Sequence, residues 1–160
     1  MSVDTITEAF VGHVAASGVS AGRGVQPASV GWTSAPGQSA YVPFAVVWRI
    51  GSQDVRQWYL EGGFDEWRVM MFVRCFAASP VQADQTMQTV RDQVLNIPIV
   101  VPGFRTVRVW LDNSQTTTKS EDVEVPTFEA GDFYRVWLEQ AAVPPDPDPS
   151  LFAAVFEEAF

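Results

Sequence analysis

Few side chains in this sequence are of the types that act in catalysis or hold metal ions. His13 is the only histidine and Cys75 the only cysteine. A histidine base works with an orienting carboxylate and a nucleophile, and the sequence indicates neither near His13. Cys75 lies in an alternating apolar segment without a neighbouring histidine, so we expect it in the core. One histidine and one cysteine cannot supply a zinc site.

Three further patterns could suggest chemistry, and none has the required geometry. Asp65 and Glu66 are adjacent, so on a strand their carboxylates point to opposite faces. The glycine-rich segment 18–24 follows a helical pattern and lacks the Gly-Lys-Ser/Thr ending of a phosphate loop. The acidic groups near residue 121 do not match a calcium-loop spacing. The sequence therefore predicts no catalytic residue, no cofactor and no metal site.

Composition indicates a globular protein that avoids anionic partners. The chain has 160 residues, of which 47% are hydrophobic and 18% charged. Its net charge of -9 argues against gripping phosphate backbones or anionic membranes. The N-terminus MSVDTITEAF does not resemble a signal peptide, and no apolar run approaches the roughly 20 residues needed to span a bilayer. A single cysteine excludes disulfides within the chain.

Two amphipathic helices are predicted. The first starts at a capping box, Thr5 to Glu8, and buries a stripe with i, i+4, i+8 spacing at Ile6, Phe10 and Val14. The second starts at Ser79-Pro80, with serine as N-cap and proline in the first turn, and ends before Pro98. Its apolar residues at helical spacing are Ala83, Met87, Val90, Val94 and Ile97.

The strands complete an α+β prediction for residues 1–143: one domain with a mixed, mainly antiparallel sheet packed by two helices. Trp67–Ala77 is apolar on both faces apart from Arg68 and Arg74, so it is the predicted central strand. Residues 18–40 are predicted to form a long loop, and Asp112–Asp122 a polar hairpin tip. The other predicted strands are Tyr41–Ile50, with Pro43 at its start, Arg56–Glu61, Phe104–Leu111, Val123–Phe128 and Phe133–Ala141.

Residues 144–160 are predicted to form an extended C-terminal tail. The segment PPDPDPS is a stiff proline-rich spacer. In the following LFAAVFEEAF, Phe152, Phe156 and Phe160 recur at helical spacing, and ten residues do not hold a helix alone in water. We expect this segment to dock on an adjacent subunit or another protein, with folding back on its own domain as the alternative.

Aromatic and charged residues indicate a protein built for contacts. Six tryptophans and 11 phenylalanines exceed the needs of one small core, and Trp and Arg anchor interfaces. The alternative for the strand residues is ordinary sheet packing with exposed arginines. Residues 112–132 hold six acidic groups and one lysine, and residues 144–160 hold four acidic groups and no basic one. The residues predicted for subunit or partner contacts are Trp48, Arg49, Trp58, Trp67, Arg68, Glu121, Asp122, Glu124, Phe152, Phe156 and Phe160.

The order of these elements resembles the tail terminator proteins of long-tailed bacteriophages, particularly those of actinobacterial hosts. The resemblance rests on Val42–Trp48, a strand entered through proline, and on Val69–Ala78 running through Ser79-Pro80 into a helix with Ala83, Val90 and Arg91. It covers about residues 5–142 and leaves the aromatic C-terminus outside the family pattern.

The resemblance implies a structural virion protein of the tail or neck, assembled in the host cytoplasm. It would form a homo-hexameric ring that caps the tail tube and joins it to the head-completion (neck) protein. DNA would pass through the ring without specific binding, and neither an enzymatic activity nor a membrane partner is expected. Two alternatives stay open: a head-completion or head–tail connector protein, and a small α+β ligand-binding or enzymatic domain.

Overall fold

The computed structural model describes residues 3–57, 64–120 and 124–140. The residues predicted as a C-terminal tail lie outside this range, as does most of the predicted strand Arg56–Glu61. The elements are α1 Val3–Ala15, β1 Ser20–Arg23, β2 Gly31–Trp32, β3 Tyr41–Val42, β4 Phe44–Gln57, β5 Phe64–Ala77, α2 Pro80–Asn96, β6 Phe104–Lys119 and β7 Phe128–Gln140.

The main sheet has five strands in the order β1-β4-β5-β7-β6, and β2 pairs with β3 in a separate two-stranded ribbon. Only β1 and β4 run parallel, and the other neighbours in the main sheet are antiparallel. The predicted α+β class with a mixed, mainly antiparallel sheet and two helices is confirmed. The strand predicted to be central, β5, is the middle strand of the five.

The core lies between one face of the sheet and both helices. Val69, Met71, Val73 and Cys75 alternate along β5, and each is at most 1% exposed. The predicted stripe of α1 and four of the five predicted positions of α2 are buried against them: Ile6, Phe10, Val14, Ala83, Met87, Val90 and Val94. Burial of apolar area on this face is the main stabilising term of the fold.

The helix boundaries follow local chemistry in α2 but not in α1. Ser79 Oγ accepts a hydrogen bond from the backbone N–H of Gln82 at 3.2 Å, and Pro80 is the first helical residue, as predicted. Ile97 is the C-cap of α2 and is 49% exposed, so it does not join the buried stripe. Helix α1 already includes Val3, which places Thr5 inside the helix rather than at its N-cap.

The predicted loop 18–40 is wrong in part, because it contains β1 and β2. Strand β1 pairs with β4 from Ser20 opposite Phe44 to Arg23 opposite Val47. Its small side chains give no alternating apolar signal, and its parallel partner lies some twenty residues further along the chain. Gly22 is required there, since an added Cβ would lie 2.2 Å from the carbonyl oxygen of Val25.

The predicted polar tip Asp112–Asp122 is also wrong in part. Strand β6 continues to Lys119, which pairs with Phe128. Threonines 116–118 are β-branched and suit an exposed edge strand, although they carry no apolar alternation. The turn begins where Ser120 N–H donates to the carbonyl oxygen of Thr127 at 2.8 Å. Of the predicted strand Val123–Phe128, positions 124–127 belong to this turn and only Phe128 is in a strand, whereas Val123 lies outside the described residues.

No helix within the described ranges is long and apolar enough to cross a membrane.

Candidate functional site on the open face of the sheet

The second face of the sheet carries aromatic and arginine side chains, and we call it the open face. Both helices pack on the other side, and within the described part of the chain no helix covers this one. Strand register brings its residues into rows, for example Trp48 opposite Phe72 and Phe72 opposite Phe133. The open face consists of Phe44, Val46, Trp48, Arg68, Met70, Phe72, Arg74, Phe76, Arg108, Trp110, Glu129, Gly131, Phe133, Arg135 and Trp137.

Stacked aromatic rings run across three strands of the open face. The ring centroids of Trp48 and Phe72 are 5.9 Å apart, and those of Phe72 and Phe133 are 4.3 Å apart with nearly parallel planes. Phe44 stacks on Phe76 at 4.9 Å. Such contacts hold the rings in one arrangement, with Trp48, Phe72 and Phe133 half-buried.

Gly131 makes this stacking possible. It lies on β7 beneath the ring of Phe72, and a Cβ added there would lie 2.8 Å from Cε2 of that ring. Any side chain at position 131 would therefore push the Phe72 ring away from the sheet. The glycine is thus needed for close approach, not for an unusual backbone conformation.

Arginine side chains lie over the aromatic rings of the open face. The guanidinium carbon of Arg74 is 5.7 Å from the Trp48 ring centroid and 5.2 Å from that of Phe72, and its Nη1 lies 3.3 Å from a carboxylate oxygen of Glu129. The Arg68 guanidinium lies 4.8 Å from the Trp137 ring centroid. Arginine held over aromatic rings is a frequent anchor of protein interfaces.

A recess of about 330 Å³ lies between β5, β6 and β7 on the open face. Arg135 Nη2 donates to Asp112 Oδ1 at 2.7 Å at its rim, and Trp110 is 42% exposed beside it. The indole Nε1 of Trp137 is buried and has no acceptor among the described residues. The recess combines an exposed indole with two cations, and it is lined by Arg68, Trp110, Asp112, Arg135 and Trp137.

A larger cavity of about 500 Å³, which we call the aromatic cleft, lies at one end of the open face. Its floor is β4, and its walls are the chain between β1 and β3 and the turn that follows β6. Trp32 packs edge-on against Tyr41 at 5.1 Å, and burial raises the pKa of Tyr41. The cleft is lined by Gly24, Val25, Gln26, Gly31, Trp32, Pro36, Tyr41, Phe44, Val46, Trp48, Phe76, Ser120, Glu124, Val125 and Thr127.

An ion pair on the core side fixes α2 to the sheet. Asp132 is fully buried, and Arg91 donates to it from Nε at 2.8 Å and from Nη2 at 2.9 Å. The hydroxyl of Tyr134 donates to the same carboxylate at 2.9 Å. Burial and the adjacent carboxylate raise the pKa of Tyr134, which stays protonated. Sequence reasoning missed this cluster because its members are far apart along the chain.

The two residues considered first for catalysis have structural roles. His13 Nε2 lies 3.1 Å from the carbonyl oxygen of Gln93, which can only accept, so the histidine ties α1 to the last turn of α2. Cys75 is fully buried, and desolvation raises the pKa of its thiol to about 12. The thiol is therefore protonated and packed at neutral pH.

The structure separates the residues predicted for contacts. Trp48 and Arg68 share the open face, and Glu124 lines the aromatic cleft. Trp67 packs against the core on the opposite face, and Arg49 is exposed at a β-bulge of β4. The other predicted contact residues lie outside the described ranges: Trp58, Glu121, Asp122, Phe152, Phe156 and Phe160.

No protein-family model and no curated protein matches this chain. Among solved structures, the chain is similar to a chain in the structure titled "Virion of native gene transfer agent (GTA) particle". The two share 16% identity with a TM-score of 0.45, and the match covers 79% of this chain and 84% of that chain. A similarity at this level shows neither a family nor a function for this chain.

Proposed function

We propose that this protein is a non-enzymatic structural protein of a virion: a phage tail terminator that caps the tail tube as a homo-hexameric ring and joins it to the head-completion proteins. The observation that carries the proposal is the open face. Among the described residues, the five-stranded sheet has helices on one side only, and its other side carries stacked rings with arginines over them. Such a surface gains free energy when a partner covers it.

A second apolar surface makes a ring geometrically reasonable. Leu95, Ile97 and Val100 are 40%, 49% and 84% exposed, and they cluster where α2 leads into β6. Since α2 packs on the core side, this patch and the open face are different surfaces of the subunit. Contacts between unlike surfaces are heterologous, and they close into a ring when the rotation between subunits permits.

The negative net charge of the chain is consistent with a ring through which DNA passes without being bound. The net charge is -9, and Arg68, Arg74 and Arg135 lie against aromatic rings or carboxylates rather than forming an open basic stripe. The proposed partners are therefore further copies of the chain, the tail tube protein and the neck protein, in a virion assembled in the host cytoplasm.

The aromatic cleft favours one alternative, a ligand-binding domain. Its volume of about 500 Å³ is within the range of small-molecule sites, and Gln26, Ser120 and Glu124 add polar groups to its lining. This alternative predicts saturable binding of an apolar compound by a monomer. A head-completion connector is the second alternative, and pull-down separates it because a connector prefers portal-side partners to tube protein.

Tube growth tests the proposal. Purified tail tube protein is polymerised with and without this protein, and tube lengths and ends are measured by electron microscopy. A terminator shortens the tubes and leaves a ring at one end. Trp110→Ala on the open face is expected to weaken this effect, and Gln85→Ala on the exposed side of α2 serves as the matched control. Unchanged tubes without end rings, at any concentration, would refute the proposal.

A further inference from the structure

The aromatic cleft has the chemistry of a docking site for an apolar helix. Its floor and one wall are contiguous rings, with Tyr41 stacked on Phe44 at 6.4 Å and Phe44 on Phe76. Val25 at the rim is 68% exposed. An open apolar cleft of this size leaves area in contact with water that a helix stripe would bury, at about 25 cal/mol per Å².

The chain itself supplies a matching stripe. Leu151–Phe160 follows the proline-rich spacer and places Phe152, Phe156 and Phe160 one helical turn apart. Ten residues need a surface to stay helical, and anchors at this spacing are what a groove selects. Glu157 and Glu158 lie off the spacing of the stripe, so a docked stripe would keep their charges away from Glu124 of the cleft.

The distance between the cleft and the end of β7 favours docking of the stripe in a neighbouring molecule. Glu129 pairs with Phe76 of the cleft, and Gln140 pairs with Phe104 at the far end of the sheet. The eleven residue steps from Glu129 to Gln140 span about 36 Å at about 3.3 Å each. The ten residues 141–150 reach about 31 Å when extended. Because β7 runs from the cleft toward Gln140, a return to the cleft of the same molecule would need a reversal of direction as well as full extension.

We propose that the aromatic cleft of each subunit binds the segment Leu151–Phe160 of a neighbouring copy. The chain leaves one end of the sheet and the cleft lies at the other, so each copy donates its segment in the same direction around the assembly. Such an exchange is heterologous and propagates around a ring. The inference deepens the proposed function and rests on its ring assembly.

Disulfide trapping in the full-length protein tests the exchange. One copy carries Val25→Cys at the cleft rim, and a second, isotopically labelled copy carries Ala153→Cys, which leaves all three phenylalanines in place. The natural Cys75 is buried and does not compete. After mild oxidation of the mixture, mass spectrometry is expected to find positions 25 and 153 joined between differently labelled chains. Val81→Cys, which replaces a valine that is 65% exposed on α2 and outside the cleft, is the matched control and should give background linkage.

A second change in the segment identifies the anchor. Adding Phe156→Ala to the Ala153→Cys copy is expected to lower the linked fraction about tenfold, equivalent to about 1.4 kcal/mol of docking free energy. Adding Glu158→Ala, off the stripe, should leave the linked fraction unchanged. Equal losses from both changes would overturn the assignment of the phenylalanine stripe to the cleft.

Native mass spectrometry of the same samples separates this inference from the proposed function. Rings without linkage between positions 25 and 153 would overturn the inference and leave the ring proposal intact. A third sample is a chain that carries both Val25→Cys and Ala153→Cys. Linkage within this chain, with none between the singly substituted copies, would overturn exchange between neighbours. Linkage between copies without a closed ring would support the docking site and contradict the hexamer.

Discussion

Arg91 of α2 forms a two-point ion pair with the fully buried carboxylate of Asp132 on β7, and Tyr134 donates a third hydrogen bond to the same carboxylate. The pair joins the longer helix to the strand next to the centre of the sheet. It therefore sets the position of β7, whose other face carries Phe133 and Trp137.

Removing the arginine is expected to destabilise the fold strongly. Arg91→Met leaves a buried carboxylate without its cation, and the free energy of unfolding should fall by about 3 kcal/mol, as measured in urea. Arg23→Ala is the control, because the pairs of Arg23 with Asp4 and Glu8 are exposed, and it should shift the urea midpoint little. Equal shifts of the urea midpoint in the two variants would contradict a stabilising role of the Arg91–Asp132 ion pair.

Gly131 should be irreplaceable for the open face. Gly131→Ala forces the Phe72 ring outward, so unfolding free energy is expected to drop by about 1–3 kcal/mol, together with a loss of ring assembly. Gly12→Ala in α1 meets nothing within 4 Å and should leave stability equal or higher by up to about 1 kcal/mol. Thermal unfolding of both variants decides the matter. A stable, fully assembling Gly131→Ala protein would show that the ring stacking is unimportant.

Removal of an arginine from the open face should affect assembly more than folding. Arg68→Ala removes the cation over Trp137. We expect the dissociation constant of the subunits to rise at least about tenfold, while the unfolding midpoint stays close to that of the native sequence. Dilution followed by native mass spectrometry measures this, with Gln85→Ala as the control. If Arg68→Ala rings dissociate at the same concentration as the control, the open face is not the subunit contact.

Because the thiol of Cys75 is buried, we expect the free energy of unfolding to fall at alkaline pH. The pKa of Cys75 is raised from 9.0 to about 12 by burial first and by Asp132 second. The folded state therefore holds its proton where the unfolded state has lost it, so this contribution is full below pH 9 and declines between pH 9 and about 12. The slope is about 1.4 kcal/mol per pH unit. Urea titrations at pH 8 and 10.5 measure the loss of unfolding free energy over this pH interval. Cys75→Ala should lose less than the native sequence, and equal losses in the two proteins would contradict the prediction.

Short sequence patterns predict the strands and helix ends that are determined by their own side chains. The alternation of Val69, Met71, Val73 and Cys75 identifies the central strand, and Ser79-Pro80 identifies the start of α2. Strand β1 was not predicted because its glycine and alanine residues show no apolar alternation. Its backbone pairing with β4 is what makes it a strand. The polar end of β6 is likewise held in place by β7, not by its own side chains.

The sequence predicts individual residues of the candidate site, but it does not predict which of them lie next to each other on one surface. Trp48 and Arg68 were identifiable as interface types, whereas their neighbours depend on strand order. Trp67 and Arg68 are adjacent, so only one of them can face out, and the structure assigns Trp67 to the core side. The stack of Phe72 on Phe133 requires the pairing of β5 with β7 and the absence of a side chain at Gly131.

We propose that contacts through the open face and the aromatic cleft close copies of this chain into a ring. Native mass spectrometry of the full-length protein across a concentration series, alone and with tail tube protein, tests it most directly. The predicted result is a single assembly with the mass of six chains. A monomer at every concentration, with no ring formed when tube protein is added, would contradict the claim.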